Sequence, residues 1–437
     1  MATGTTEPRA DGDAPAPRSP ASPSGLGRGQ LALLASLFLV DLGAAMVAIA
    51  LPLLLVRDYG VSFAVGLTFA IGVVPRIVAA PLLGPLLIRH DPRRVAIVAA
   101  LGSAPLTALI PVTDRMWQFQ LLNLAVNLFG AVAEPSRLAL RAATIGTGQE
   151  FKGNGLFVAA ERVPRVLGPG LVGVLAGLGV GPDWSFLFPT GFAVAAALLV
   201  LRVPNARPRG GPDRERRGFL ATVAGSARLL ASTISGDRFV AGLTLTAFPY
   251  VAATAIARIM LLTMTQTRFA AHPGLYGWLL GAISLGAVLG ALLSGHASRI
   301  DYGTLYIAGN LVEAVVWLAL TVVHDPYVAL AAVFLTGILE AAPTVVFFAE
   351  VQRRLRPDLI GYFYAAVMPL IDAAATGGYL LGGALIRHGV ALSGWCVALL
   401  IAVPVLATVR WFRVPPPSVP PADPNADPAA DAAANPV

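Results

Sequence analysis

Apolar residues in this chain run in long unbroken stretches. They neither alternate with polar ones nor keep to one helical face. Twelve stretches are predicted as helices, at approximately 30–55, 62–88, 94–113, 116–139, 154–179, 184–203, 239–264, 274–296, 303–323, 327–351, 359–386 and 391–412. Each has the roughly 20 residues that cross about 30 Å of hydrocarbon at a rise of 1.5 Å per residue. A barrel strand would alternate over about ten residues, and these do not. The pattern predicts an all-α integral membrane protein, with twelve transmembrane helices in two pseudo-symmetric six-helix bundles.

Polar stretches set the domain plan. Residues 1–29 and 414–437 are rich in Pro, Ala and small residues and lack the bulky apolar groups a core needs, so both read as disordered tails. The first tail has no short apolar core of a cleavable signal. Between them, 30–203 forms the first bundle and 239–413 the second. The linker 204–238 opens with PNARPRGGPDRERRG and continues through Phe219, Leu220, Val223, Leu230 and Ile234, a pattern suited to an interfacial helix.

Composition narrows the function. Of 437 residues, 56% are hydrophobic and 13% charged, against roughly 25% charged in a soluble domain. The net charge is +7, and Lys152 is the sole lysine. The basic excess sits in loops between apolar spans, which points to a membrane surface with its lipids and away from nucleic acid. Arg9, Arg18, Arg28, Arg89, Arg93, Arg94, Arg137, Arg141, Arg353, Arg354, Lys152 and others give 23 basic residues on the side shared by both tails. Arg57, Arg115, Arg268 and Arg387 are the 4 on the other. Both termini are therefore expected in the cytoplasm, with the chain multi-pass in an inner or plasma membrane. Trp117, Trp184 and Trp395 fall near the outer span ends, as an aromatic belt would. One cysteine, Cys396, and five scattered histidines offer no metal set. No cofactor is expected, and no enzyme activity. Gly168-Pro-Gly170-Leu-Val-Gly173 spells GxGxxG, but it lies inside an apolar helix without the preceding strand a dinucleotide site requires.

The halves repeat. An offset of 206 maps Gly84 onto Gly290, His90 onto His296, Glu134 onto Glu340, and Gly155 with Phe157 onto Gly361 with Phe363. Parallel repeats of this kind form two-bundle transporters whose site lies between the halves near the midplane.

On these residues the chain resembles a major facilitator superfamily transporter over roughly 30–413. Gly84-Pro-Leu-Leu-Ile-Arg89-His-Asp91-Pro-Arg93-Arg94 resembles the family's loop motif, Gly-x-Leu-x-Asp-Arg-x-(Gly/Asp)-Arg-Arg-Arg, with Ile88 in place of Asp and Pro92 in place of Arg. Glu134-Pro135-Ser-Arg137 and Arg165-Val-Leu-Gly168-Pro169-Gly-Leu-Val-Gly173 resemble the exporters of drugs and siderophores. The resemblance implies proton antiport, alternating access and a monomer. It also implies gating by Gly84, Arg89, Asp91, Arg93, Arg94, Glu161, Arg162, Arg165, Gly168, Pro169 and Gly173. Read physically, Gly and Pro at 168–173 also allow a bend and close packing. The GxxxG spacings Gly173/Gly177, Gly277/Gly281, Gly286/Gly290 and Gly378/Gly382 predict helix contacts.

Charge inside an apolar span costs about 2.5–3.5 kcal/mol at the bilayer centre, so each such group implies a partner or a role. The acids are Asp41, Glu134, Glu161, Glu313, Glu340 and Asp372; the bases are Arg76, Arg162, Arg165 and Arg258. Asp41, Arg76, Glu134, Arg258, Glu340 and Asp372 are the candidates for proton coupling or substrate binding. Asp41 is the expected proton carrier and Arg76 its partner or an anion-binding group, with a buried structural pair as the alternative. Glu161 and Arg165 are four apart and are expected to share a face. Glu313 is expected to be structural. Phe248, Tyr250, Tyr362, Phe363, Tyr364 and Tyr379 either line a pocket for a flat lipophilic substrate or pack the core. The expected function is proton-coupled export of a small organic molecule, with uptake by symport or a non-transporting receptor as rivals.

Overall fold

The computed structural model describes residues 27–60, 62–144, 150–203, 236–272, 274–294, 301–355 and 357–413. The expected tails lie almost wholly outside these residues, as does the linker segment 219–235. Twelve long helices stand among the described residues: α1 (Arg28–Tyr59), α2 (Phe63–Arg89), α3 (Pro92–Leu109), α4 (Met116–Thr144), α5 (Glu150–Gly177), α6 (Leu187–Val200), α7 (Arg238–Thr267), α8 (Leu275–Ser294), α9 (Tyr302–Leu320), α10 (Pro326–Arg354), α11 (Pro357–Leu385) and α12 (Gly389–Thr408). Their limits fall within five residues of the sequence expectation. Apolar surroundings leave the backbone no hydrogen-bond partner but itself, so helices are the available solution. Asp91, Asp237, Asp301 and Asp325 begin α3, α7, α9 and α10, each side chain accepting from a first-turn N–H.

Seven described stretches are long and apolar enough to cross a membrane by length and composition. Helices α4 and α5 are not among them. They carry Gln120, Asn123, Asn127, Glu134 and Arg137, and Glu161, Arg162 and Arg165.

Helix pairing in the first half recurs in the second. Helix α1 packs on α5 and α6, α3 on α4 and α6, and α2 on α4; correspondingly α7 packs on α11 and α12, α9 on α10 and α12, and α8 on α10. Between the halves α2 meets α11 and α5 meets α8, contacts that exchange under the same two-fold relation.

The cores show where the halves join. At the end remote from the tails one cluster runs through both halves and includes Met46, Leu54, Val172, Ile256, Tyr276, Trp317 and Val397. Near the tails there are two separate clusters: Leu33, Leu37, Leu140 and Phe157 in the first half, and Phe239, Tyr306, Val351, Phe363 and Phe412 in the second. Among the described residues a shared core joins the halves at the distal end, and near the tails each half has a core of its own.

Small residues make that closure possible. A side chain at Gly66 of α2 would strike the Tyr379 carbonyl and the Gly383 backbone of α11, and one at Gly274 or Gly277 of α8 would strike Gly173 of α5. Gly168 lies against Ala45 of α1. Gly286 and Gly290 seat α8 on α10, and Gly378 and Gly382 seat α11 on α7. Gly177 meets no atom within 4 Å, so the expected contact at that position is absent.

Two further expectations are corrected. Arg141, Arg353 and Arg354 were expected in loops, but α4 and α10 run on through them. The offset of 206 does not align the helices either. Glu134 is the nineteenth residue of α4 and Glu340 the fifteenth of α10, a difference of one turn.

Candidate functional site

The charged residues of the first half converge on one small polar space. Asp41 of α1, Glu134, Arg137 and Arg141 of α4, and Glu161 and Arg165 of α5 line a cavity of about 70 Å³. Arg137 Nη2 donates to Asp41 Oδ1 at 2.7 Å, both side chains being 19% exposed. Arg141 Nη1 reaches Glu161 Oε1 at 3.4 Å, and its guanidinium stands 5.3 Å from the Phe157 ring centre. Glu161, expected to share a face with Arg165, reaches Arg141 of α4. Arg165 instead lies within electrostatic range of Asp41, as does Glu134. The spacing 134, 137, 141 puts three charges on one face of α4, a signal that ending the predicted span at 139, short of Arg141, concealed. Arg76 is in α2, but its side chain lies outside the described residues, as do those of Gly84, Arg89 and Tyr362.

A second network occupies the other half. Glu313 of α9 is 1% exposed. Its carboxylate accepts from Trp317 Nε1 at 3.0 Å and from the Tyr250 hydroxyl at 3.1 Å. Glu340 of α10 is its charged neighbour, and Glu340 in turn interacts with Arg258 of α7 and Arg162 of α5. Arg258 and Arg162 are exposed, although both stand in the interior stretches of long helices. Asp372 of α11 is half-buried and its backbone carbonyl accepts from Thr376. Of the aromatic candidates, Phe363 packs in the tail-end core, and Tyr379 stacks on Phe69 of α2 at 4.9 Å across the joint between halves.

The motif residues act at both ends. Asp91 caps α3 by accepting from the Arg93 backbone N–H. The Arg93 guanidinium donates to the Leu201 carbonyl after α6, and Arg94 is exposed. Pro169 and Gly173 form the α5 side of the distal joint with Gly277.

Residues 33–265 match the profile described as Major Facilitator Superfamily. The chain belongs to that superfamily. Among its relatives, the "Multidrug efflux pump Tap" of Mycolicibacterium fortuitum is 26% identical over 267 residues, covering 57% of this chain and 62% of that protein. The chain thus matches less than two thirds of Tap. The "Enterobactin exporter EntS" of Salmonella typhimurium strain LT2 is 25% identical over 355 residues, 77% of this chain and 82% of that protein. Solved structures share the fold. The nucleoside transporter NupG has a TM-score of 0.68 at 12% identity, covering 88% of this chain and 99% of that one. A peptide transporter, POT in complex with sulfate, has 0.67 at 11%, covering 88% and 94%. The profile match ends inside α7, so for the second half of this superfamily member the likeness rests on the longer relatives and the fold.

Proposed function

We propose that this membrane transporter exports a small, lipophilic organic molecule in exchange for protons. The reading takes all twelve helices as membrane spans of a monomer in the cell membrane, with lipid around it and both termini cytoplasmic. Its main support is the arrangement of cores and charges: among the described residues each half has its own core near the tails, Asp41, Glu134 and Arg165 line a polar space in the first half, and Glu340 interacts with Arg258 of its own half and Arg162 of the other. That is the form that accepts cargo from the cytoplasm, and the names of the relatives Tap and EntS favour export over uptake. In the proposed cycle, a proton reaching Asp41 from outside releases Arg137, and the bundles rock about the central site.

Sealed proteoliposomes with an imposed pH gradient test the reading. Antiport predicts substrate movement against proton flow, and Asp41→Asn abolishes the coupled flux while the protein stays inserted. Movement of substrate with the protons assigns the chain to symport, and full proton-driven flux in the Asn variant removes Asp41 from the cycle.

A further inference from the structure

The two exposed arginines of the interior carry an inference that rests on the transport reading and names its cargo. Arg162 lies on a defined face of α5. Residues 162, 166, 169 and 173 follow the spacing of one helical face. Pro169 and Gly173 on that face touch Gly277 of α8, and the Val166 carbonyl approaches Gly281. About two turns toward the tails from Pro169, the same face carries the exposed Arg162 within electrostatic range of Glu340 in the other half. Arg258 of α7 interacts with the same carboxylate. The Tyr276 hydroxyl of α8 donates to the Arg258 backbone carbonyl at 3.5 Å. Tyr379 of α11, Tyr276 of α8 and Glu340 of α10 interact with its charge. A side chain surrounded by three helices and still exposed faces an internal space that admits water.

Among the described residues no carboxylate is in salt-bridge contact with Arg162 or Arg258. Glu340 interacts with both guanidiniums, one from each half, at longer range. Glu313 behind it is buried and occupied by Tyr250 and Trp317. A guanidinium presents a planar fork matched to carboxylate or phenolate oxygens, and such charge-assisted bonds are the strong ones. Just above, Tyr379 and Phe69 supply a stacked aromatic ceiling with one ring from each half.

We propose that this transporter binds an aryl anion, a small aromatic molecule bearing a carboxylate or phenolate, with its charge between Arg162 and Arg258 and its ring below Tyr379. The anion takes the place of Glu340 as partner to the two arginines. Because one arginine comes from each half, binding draws the halves together on the tail side of the joint.

Calorimetric titration of the purified full-length protein tests this with 1-naphthoate as probe, against neutral 1-naphthalenemethanol and cationic 1-naphthylmethylammonium. Expected is at least tenfold tighter binding of 1-naphthoate than of either counterpart. Arg162→Gln and Arg258→Gln each weaken it at least tenfold, Arg258→Lys retains part of it, and Glu340→Gln tightens it by removing the competing carboxylate. Preference for the cationic or neutral probe overturns the proposal. So does unchanged binding in both Gln variants, or weakened binding in Glu340→Gln. The wild-type comparison decides the matter even where a variant does not fold. Vesicle flux separates the two readings: proton-driven movement of only the cation or alcohol sinks the anion site and spares transport, whereas tight 1-naphthoate binding without any flux does the reverse.

Discussion

Individual charges in this protein are held by partners on other helices, and their value depends on how far they are from water. Arg354 and Glu350 are both 2% exposed in their side chains and are joined at 2.6 Å; Arg354 also reaches Asp237 at 3.2 Å and lies 4.1 Å from the Phe239 ring centre. Glu350→Gln removes the nearer of the two carboxylates and leaves Asp237 on the buried guanidinium, so a loss smaller than the roughly 3–5 kcal/mol of a fully broken buried pair is expected, read as a lowered unfolding midpoint in detergent. Arg57 with Asp183 is the exposed contrast, binding the distal end of α1 to the α5–α6 connection. The Arg57 guanidinium holds the Asp183 carboxyl below the usual carboxylate range, against a weaker upward push from burial. A lowered carboxylate stabilises the fold above its unfolded value, and that contribution disappears as pH falls through the folded value. Asp183→Asn is therefore expected to cost only about 0.2–1 kcal/mol near neutrality, and the difference from wild type should shrink as acidification protonates the Asp183 carboxyl. A difference that grew on acidification would contradict the assignment.

Between helices, glycine decides how closely two backbones approach. The α2–α11 joint depends on Gly66 facing Gly383 and the Tyr379 carbonyl, atoms that cannot swing aside as a side chain would. Gly66→Val is expected to force these helices apart. Spin labels at exposed positions 63 and 387 would report a longer distal distance in this variant than in wild type. Gly177→Ala is the control, since open space surrounds that residue. Its effect on stability should stay within about 1 kcal/mol, the helix-propensity difference between the two residues. Equal effects of the two substitutions would mean that the joint is not set by backbone contact.

Over the whole molecule, one shared core at the distal end and two separate cores at the tail end make a hinge-like arrangement. Rigid halves rocking about the central site should close the tail end as the distal end opens. With labels at the exposed positions Arg94 and Arg353, added substrate should shorten the tail-end distance while the 63–387 distance lengthens. If both distances move in the same direction, the halves do not rock as rigid bodies.

Long apolar stretches by themselves determined the helices, to within five residues at every end. Segments of that length have no other way to satisfy their backbone among apolar neighbours. The interior charges Asp41, Glu134, Glu161, Glu340, Arg162 and Arg258 were likewise legible, because a charge in an apolar run stands out whatever its partner. The partners were not. Arg137 was read as a tail-side charge at the end of its span, and whether a charge there is solvated or paired depends on the neighbouring α1, which supplies Asp41. Glu161 reaches Arg141 of α4, a partner that sequence spacing along α5 does not show. A helix that is apolar on all sides gives no sign of which face it turns inward. Only the packing of twelve helices decided which charges meet, where the halves touch, and which arginines remain exposed to an internal space.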